Sequence, residues 1–356
     1  MSSVSGVNGW NRICGNLDDW NRILLGTDAH LYQYPYWNEP LRQIRLSPEY
    51  LVYTQGGEPL AFVCVLRLGL PRMRIGIVRC GPVALKGSMP ESALADLTRW
   101  AGQAGFVFIR FSHGDETILD RLAADAIADR TDSLPFYPPL EHELIVEQLA
   151  GEEATAGRFQ AVARRNIRDA RKVDYVITHA DTTARLQETF PVFGALNDRK
   201  GQVYSRPLSS YLELLRLAAP HRGARVYTAA LNGKIVQALL IVRDRDTAHY
   251  VIGAMDVEAL GEHASPGCLL HWQAMRDFYG EGARFYNLGL WGSGGLQVFK
   301  SKFRPSERVY PAPLTLVLQP TAYRLWTRLL PWLRNSRPRI EKLMGAVRDL
   351  KQRAAL

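Results

Sequence analysis

Apolar and polar positions along this chain fall into short blocks, and the blocks come twice in the same order. Tyr50–Thr54 reads as a strand, Gly56-Gly57 as a turn, Leu60–Leu66 and Arg74–Arg79 as strands, Glu91–Gly102 as a helix and Phe106–Phe111 as a strand. The second series starts with a strand at Arg225–Ala230 and the Asn232-Gly233 hairpin signal. It continues with strands at Ile235–Val242 and Ala248–Gly253, a helix opened by Pro266 and Gly267 that runs to about Tyr279, and a closing strand at Arg284–Leu288. Gly57 and Gly233 lie 176 positions apart, and that offset carries Phe106–Phe111 onto residues 282–287. Repetition at so long an interval predicts duplicated domains, not a solenoid. Between the series, Thr131–Glu143 carries Pro135, Pro138 and Pro139 and reads as a linking segment. Arg158–Lys172 reads as one basic helix with Arg164, Arg168 and Arg171 on a common face.

A length of 356 residues exceeds one comfortable core, which agrees with two domains. Hydrophobic content of 47% and charged content of 22% are those of a globular chain, and no apolar run approaches the ~20 residues of a spanning helix. The first ten residues lack the basic region and apolar stretch of a secretory signal, so the expected location is cytoplasmic. Cys14, Cys64, Cys80 and Cys268 are too scattered to imply a disulfide framework or a zinc site, and no metal is expected.

The net charge of +9 sits mainly at the C-terminal end: residues 320–356 hold nine Arg/Lys against two acids, a net of +7, which leaves +2 for residues 1–319. A body so near neutrality argues against a broad nucleic-acid-binding face. Leu325, Trp326, Leu329, Leu330 and Leu333 form an apolar stripe in this tail, and Ile340, Leu343, Met344 and Val347 form another after Pro338. Two readings fit: a basic amphipathic helix lying on an anionic membrane surface, or packing on the protein's own core.

The candidate chemistry lies at residues 289–303. A strand runs into a loop with Gly289, Gly292, Gly294 and Gly295, and Phe299-Lys300 follows. Glycine lets the backbone approach a ligand closely, and an ammonium there suits a phosphate or a carboxylate. There is no Ser/His/Asp arrangement and no nucleophile elbow.

Four segments, taken together, resemble the FemA/FemB/FemX aminoacyltransferases over the chain to about Leu318. Leu31–Trp37 is similar to that family's early Gln-x-x-x-Trp segment, and Arg79–Val83 to its Gly-Pro-Val. Arg165–Lys172 is similar to its Arg-Asn-Ile-x-x-Ala helix, and Gly295–Phe303 to its Gly-Leu-x-x-Phe-Lys-x-x-Phe. The resemblance implies an α+β fold of two tandem GCN5-related N-acetyltransferase (GNAT)-like domains. The first would span residues 1–145, completed by about 306–320; the second, 146–305; residues 321–356 would form the basic helical tail.

The implied activity is transfer of an aminoacyl group from aminoacyl-tRNA, a donor substrate needing no cofactor, to an amine of a peptidoglycan precursor or related envelope glycan. Where the tail's own pattern is read as a membrane-surface helix, it would place the enzyme at the inner face of the membrane. Lys300 is implied beside the acyl ester, with Phe299 either walling the donor site or packing the core. Arg199 and Arg206 bracket a loop implied to hold acceptor phosphates, against a reading as solvated loop arginines. Tyr250 is either an acceptor contact or a core tyrosine. Asn287 stands where the family usually has Asp, Ser112 stands where it often has the Asp once proposed as base, and Arg304 replaces a Gly. These departures bear on the acceptor. His113 is the one histidine considered as a proton acceptor, and Arg164 and Arg168 are the candidates for the tRNA phosphates. An acyl-CoA-dependent N-acyltransferase of the same fold, and a non-catalytic membrane-associated scaffold, are the alternatives. The pyrophosphate signature Gln/Arg-x-x-Gly-x-Gly/Ala of the acyl-CoA enzymes is missing.

Overall fold

The structure, a computed structural model, describes residues 8–70, 73–112, 114–124, 127–130, 142–148, 151–200, 206–292 and 294–328, with backbone alone at 70 and 194–200. The first domain runs through β1 (Gly9–Arg12), β2 (Ser47–Gln55), β3 (Glu58–Leu70), β4 (Met73–Arg79), the two-residue β5 (Val83–Ala84), β6 (Phe106–Ser112) and β7 (Ala128–Asp129). The second holds β8 (His142–Glu147), β9 (Val176–Ala180), β10 (Ala224–Leu231), β11 (Lys234–Arg243), β12 (Thr247–Met255), β13 (Phe285–Asn287) and β14 (Ser306–Val309). The chain then returns as β15 (Leu314–Val317) to pair with β6 and β7 in the first sheet.

The strand orders are β1-β2-β3-β4-β6-β15-β7, with β5 added on β3, and β9-β10-β11-β12-β13-β8-β14. They match position by position, and in each sheet the fourth and fifth strands form the parallel pair. The repeat seen in the hydrophobic pattern is thus a repeat of topology, with β15 supplied from the chain's end in the place that β8 fills in the second sheet.

Helices Glu91–Gln103 and Glu116–Ala124 cover the outer face of the first sheet, setting Leu94, Leu97, Leu119 and Leu122 against Val63, Val65 and Ile109. Helices Ala161–Ala170 and Gly267–Gly280 do the same for the second, with Ile167, Leu270, Met275 and Phe278 against Tyr227, Leu239 and Ile241. A further core joins the two inner faces: Val52, Phe62 and Ile77 meet Val226, Leu240 and Val242 through Trp20, Tyr34, Tyr36, Leu186, Phe193 and Leu214. Each fully buried side chain of this size contributes about 1.5–3 kcal/mol, so this shared core binds the domains into one body.

Several elements differ from the sequence expectation. The basic segment is two helices, Glu152–Arg158 and Ala161–Ala170, because Phe159 is extended (φ −61°, ψ 153°). Its ring packs between Trp272 and Phe303, with centroids 5.4 and 5.2 Å away. His142 and Glu143 begin β8 and belong to the second sheet, not to a linker. Ser306–Val309 also joins the second sheet, so the strand that returns to the first is Leu314–Val317. In the tail, Trp326 and Tyr323 pack on Phe108, with centroids 6.5 and 5.2 Å away, while Leu325 stays exposed. Leu329, Leu330, Leu333, the second stripe and His113 lie outside the described residues.

Candidate active site

Strands β12 and β13 pair only over Thr247–His249 and Phe285–Asn287. β13 ends there and the chain turns into the glycine loop, whereas β12 runs on to Met255. The two strands therefore part and leave a wedge beside Tyr250–Met255. In the first domain the equivalent strands stay paired from Arg74 to Arg79 along Phe106–Ser112, and no such wedge opens. A cavity of about 120 Å³ occupies the wedge. Leu31, Tyr32 and Trp37 of the first domain line it together with Glu143, His249, Tyr250, Val251, Asn287 and Gly289 of the second.

Lys300 stands at one side of this wedge, on the helix Gly295–Ser301. It is 5% exposed, its Nζ donates to the Leu290 carbonyl, and it lies 5.9 Å from the centre of the Tyr250 ring. Gly289 has φ +73°, and a Cβ there would lie 3.9 Å from Lys300 Nζ, so the glycine permits both the turn and the lysine's approach. Burial, with the Lys300 charge adding to it, pushes His271 down to about 3, so its imidazole is neutral; its Nδ1 is 2.8 Å from the Tyr286 hydroxyl. Burial pushes Tyr250 up to about 12. Phe299 packs tilted against His271 and edge-on against Phe303, with centroids 5.3 and 5.5 Å away, which makes it a packing residue behind the lysine. It also closes on Gly267, where a Cβ would sit 3.3 Å from the Phe299 ring and from Gln237 Nε2.

A buried polar cluster forms the wall between this cavity and a larger interdomain cleft of about 670 Å³, which His30, Cys80–Gly87, Asp244–Thr247, Arg308 and Tyr310 help to line. Asp244 accepts from Leu31 N at 3.1 Å, from Thr247 N at 2.9 Å and from His249 Nε2 at 2.8 Å. Asn287 Oδ1 accepts from Gly289 N at 2.7 Å, which leaves its Nδ2 to donate to His249 Nδ1 at 3.1 Å. His30 Nδ1 accepts from Tyr32 N at 3.2 Å, and its Nε2 points at Glu143 Oε1, 3.3 Å away. Tyr310 donates to Glu143 Oε2 at 2.6 Å. Burial would raise the Glu143 carboxyl, but the rings of His30 and His249 and the Tyr310 hydroxyl more than offset it and hold the group well below the usual carboxylate range.

The ligand atoms of His30, Glu143 and His249 lie within 4.8 Å of one another, close enough to meet at a metal ion. The hydrogen bonds argue otherwise. Each imidazole accepts at Nδ1 and keeps its proton on Nε2, directed at a carboxylate, so neither offers a lone pair to a metal.

Two segments of the resemblance meet in the first domain. Gln33 is fully buried, donates to the Arg79 carbonyl and accepts from Cys64 N at 2.8 Å, thereby bridging β3 and β4. A Cβ on Gly81 would lie 2.6 Å from the Gln33 carboxamide, so a side chain before Pro82 would displace Gln33 from its hydrogen bonds. Arg79 in turn stacks on Tyr32 at 3.6 Å, and Arg206 on Trp37 at 4.2 Å, with the two aromatic rings 5.8 Å apart.

The structure thus brings Lys300, Tyr250 and Asn287 to the wedge, with Arg206 behind one of its walls. Arg199 lies on the helix Thr183–Lys200, its side chain outside the described residues. Arg164 and Arg168 lie on the exposed side of the Ala161–Ala170 helix, away from the wedge lining. Arg164 donates to the carbonyls of Gly157 (2.9 Å) and Phe159, tying the two basic helices together. Ser112 is buried, and its carbonyl accepts from Cys80 N at 2.9 Å. Sequence reasoning missed His30, Glu143, Asp244 and His249. The available signal was a polar residue inside an apolar strand, as in Glu143-Leu-Ile-Val and Ala-His249-Tyr-Val.

Residues 157–301 match the model of an acetyltransferase (GNAT) domain. No curated protein sequence matches the chain. Among solved structures, FemX superposes with a TM-score of 0.71 at 12% identity, covering 89% of this chain and 100% of FemX. The C-terminal domain of a putative lysylphosphatidylglycerol synthetase from Agrobacterium fabrum gives 0.56 at 15% identity, with coverage of 88% and 95%. L-PGS from Bacillus licheniformis gives 0.53 at 14%, with coverage of 88% and 97%. The chain has the tandem GNAT fold of the FemAB-like proteins, with an open wedge in its second domain.

Proposed function

We propose that this protein is an acyltransferase that moves an aminoacyl group from aminoacyl-tRNA to an amine of a cell-wall or related envelope precursor. The observation that carries the reading is the wedge: of two equivalent domains, one alone parts its central strands, and it does so beside a buried ammonium. The edge of Tyr250–Met255 that faces away from β11 can hold an extended acyl chain, and Lys300 can offset the negative charge that grows on the carbonyl oxygen during attack. The neutral acceptor amine attacks the ester carbonyl. The C–N bond forms, the C–O bond to the tRNA ribose breaks, and the proton lost by nitrogen leaves with the ribose hydroxyl. The 670 Å³ cleft on the other side of the polar wall has room for the larger acceptor.

Likeness to FemX and to a lysylphosphatidylglycerol synthetase supports an envelope acceptor. Against an acyl-CoA donor stands the start of the helix Gly267–Gly280, where a pyrophosphate would seek backbone N–H groups. Residues Pro266 to Leu270 are all buried there, beneath Gln237 and Phe299.

The test uses the purified protein with radiolabelled charged tRNA or acetyl-CoA and a panel of envelope-precursor amines. Transfer should come from charged tRNA, and Lys300→Ala should lower it ~10²-fold with the thermal melt preserved. Turnover of acetyl-CoA alone, or full activity in Lys300→Ala, would remove this reading.

A further inference from the structure

The cavity in the wedge holds a buried carboxylate whose neighbours are imidazole rings and a tyrosine hydroxyl. Glu143 is 2% exposed; the Tyr310 hydroxyl donates to one carboxylate oxygen, and His30 Nε2 lies 3.3 Å from the other without hydrogen-bonding to it. His30 is its one ion-pair neighbour among the described residues. The His30 ring caps the turn at Leu31–Gln33 by accepting the Tyr32 N–H on Nδ1. His249, set between Asp244 and Asn287, is held in the same tautomer. Among the described residues no Lys or Arg lines the cavity. A buried carboxylate with imidazoles but no ammonium or guanidinium at its cavity suits a ligand that brings a cation. The remaining walls include the rings of Tyr32, Trp37 and Tyr250, each backed by a cation of the protein, Arg79, Arg206 and Lys300.

We propose that this cavity is an ammonium-binding subsite in which Glu143 holds the free α-ammonium of an aminoacyl donor. The inference rests on the acyl-transfer reading above and narrows its donor. An aminoacyl ester carries its ammonium two bonds from the carbonyl carbon, so a cation anchored at Glu143 sets the ester in the wedge near Lys300. An acetyl group would leave the carboxylate facing a methyl. The cavity's small volume, about 120 Å³, assigns it the donor's amino acid and leaves the 670 Å³ cleft for the acceptor. Glu143 takes no part in bond making; it is a positioning residue that discriminates donors.

Filter binding on the full-length protein tests this without an acceptor. The probes are a tRNA pool charged with mixed amino acids, the same pool N-acetylated, the same pool deaminated with nitrous acid so that a hydroxyl replaces the amine, and uncharged tRNA. Wild type should bind the charged pool ~10²-fold more tightly than the acetylated and deaminated pools, the scale at which a lost buried polar contact discriminates. Glu143→Gln should erase that difference, and Glu143→Asp should restore part of it.

If all three acylated pools bind equally and more tightly than uncharged tRNA, the ammonium subsite is wrong while acyl recognition stands. If charged and uncharged tRNA bind alike, the donor reading falls as well. Stoichiometric Zn²⁺ binding by calorimetry, abolished in both Glu143→Gln and His30→Gln, would make the cluster a metal centre and overturn the proposal.

Discussion

A single contact explains why one short motif has the residues it has. Gln33 spans the gap between β3 and β4, and Gly81 passes so close to its carboxamide that a side chain there would displace it. Gly81→Ala should therefore cost about 1–3 kcal/mol, the usual range for forcing extra volume into a packed site. The urea midpoint measures this, and an unchanged midpoint would show that Gln33 can move aside. Residues of this kind were partly legible. Lys300 stood out because glycines precede it, Tyr250 because it lies on an apolar strand, and Asn287 through the resemblance, where that family usually has Asp; all three lie at the wedge. Glu143 did not stand out, because three prolines just before it resembled a linker, and its importance depends on His30, 113 positions earlier in the chain. Contacts at that separation leave no local pattern.

Strands and helices were read more completely than single residues, since period and turn chemistry are local properties. The Asn232-Gly233 turn joins β10 and β11 where the hairpin signal placed it, with both residues at positive φ. The basic helix was the exception: nothing in its charge pattern shows that Phe159 must swing into the core and break it. The break changes which arginines can meet a tRNA. Arg164 is spent on the carbonyls at the joint, while Arg165 and Arg168 are exposed. Replacing Arg165 and Arg168 with Glu should weaken charged-tRNA binding and flatten its dependence on salt, because fewer counterions are released. Arg164→Glu should act chiefly on stability. Affinity measured across a salt series separates the two, and an unaltered salt slope in the Arg165/Arg168 variant would move the tRNA to another face.

Across the whole molecule, duplication has produced two sheets of one topology with different uses. The closed strand pair of the first domain completes a structural half, and the open pair of the second makes the site, walled by Leu31, Tyr32 and Trp37 from its partner. The offset of 176 residues predicted the duplication but not the asymmetry, which lies in where β13 stops. The polar cluster ties the halves together: His30 comes from the first domain, while Glu143, Asp244 and His249 come from the second. This arrangement makes the interdomain contact sensitive to acid.

Glu143 and Asp244 have ordinary carboxyl values of 4.5 and 3.8, and both are lowered in the fold, by their hydrogen bonds and neighbouring rings against the opposing effect of burial. A depressed carboxyl contributes stability that is fully present above its unfolded value and is lost as pH falls through the folded one. Stability should accordingly hold from neutral pH down to about 5 and decline below about 4. Glu143→Gln should lower the neutral plateau and flatten the decline, since the amide has no proton to take up. Urea midpoints across pH 3–7 decide it, and parallel acid limbs in wild type and variant would place the acid sensitivity elsewhere.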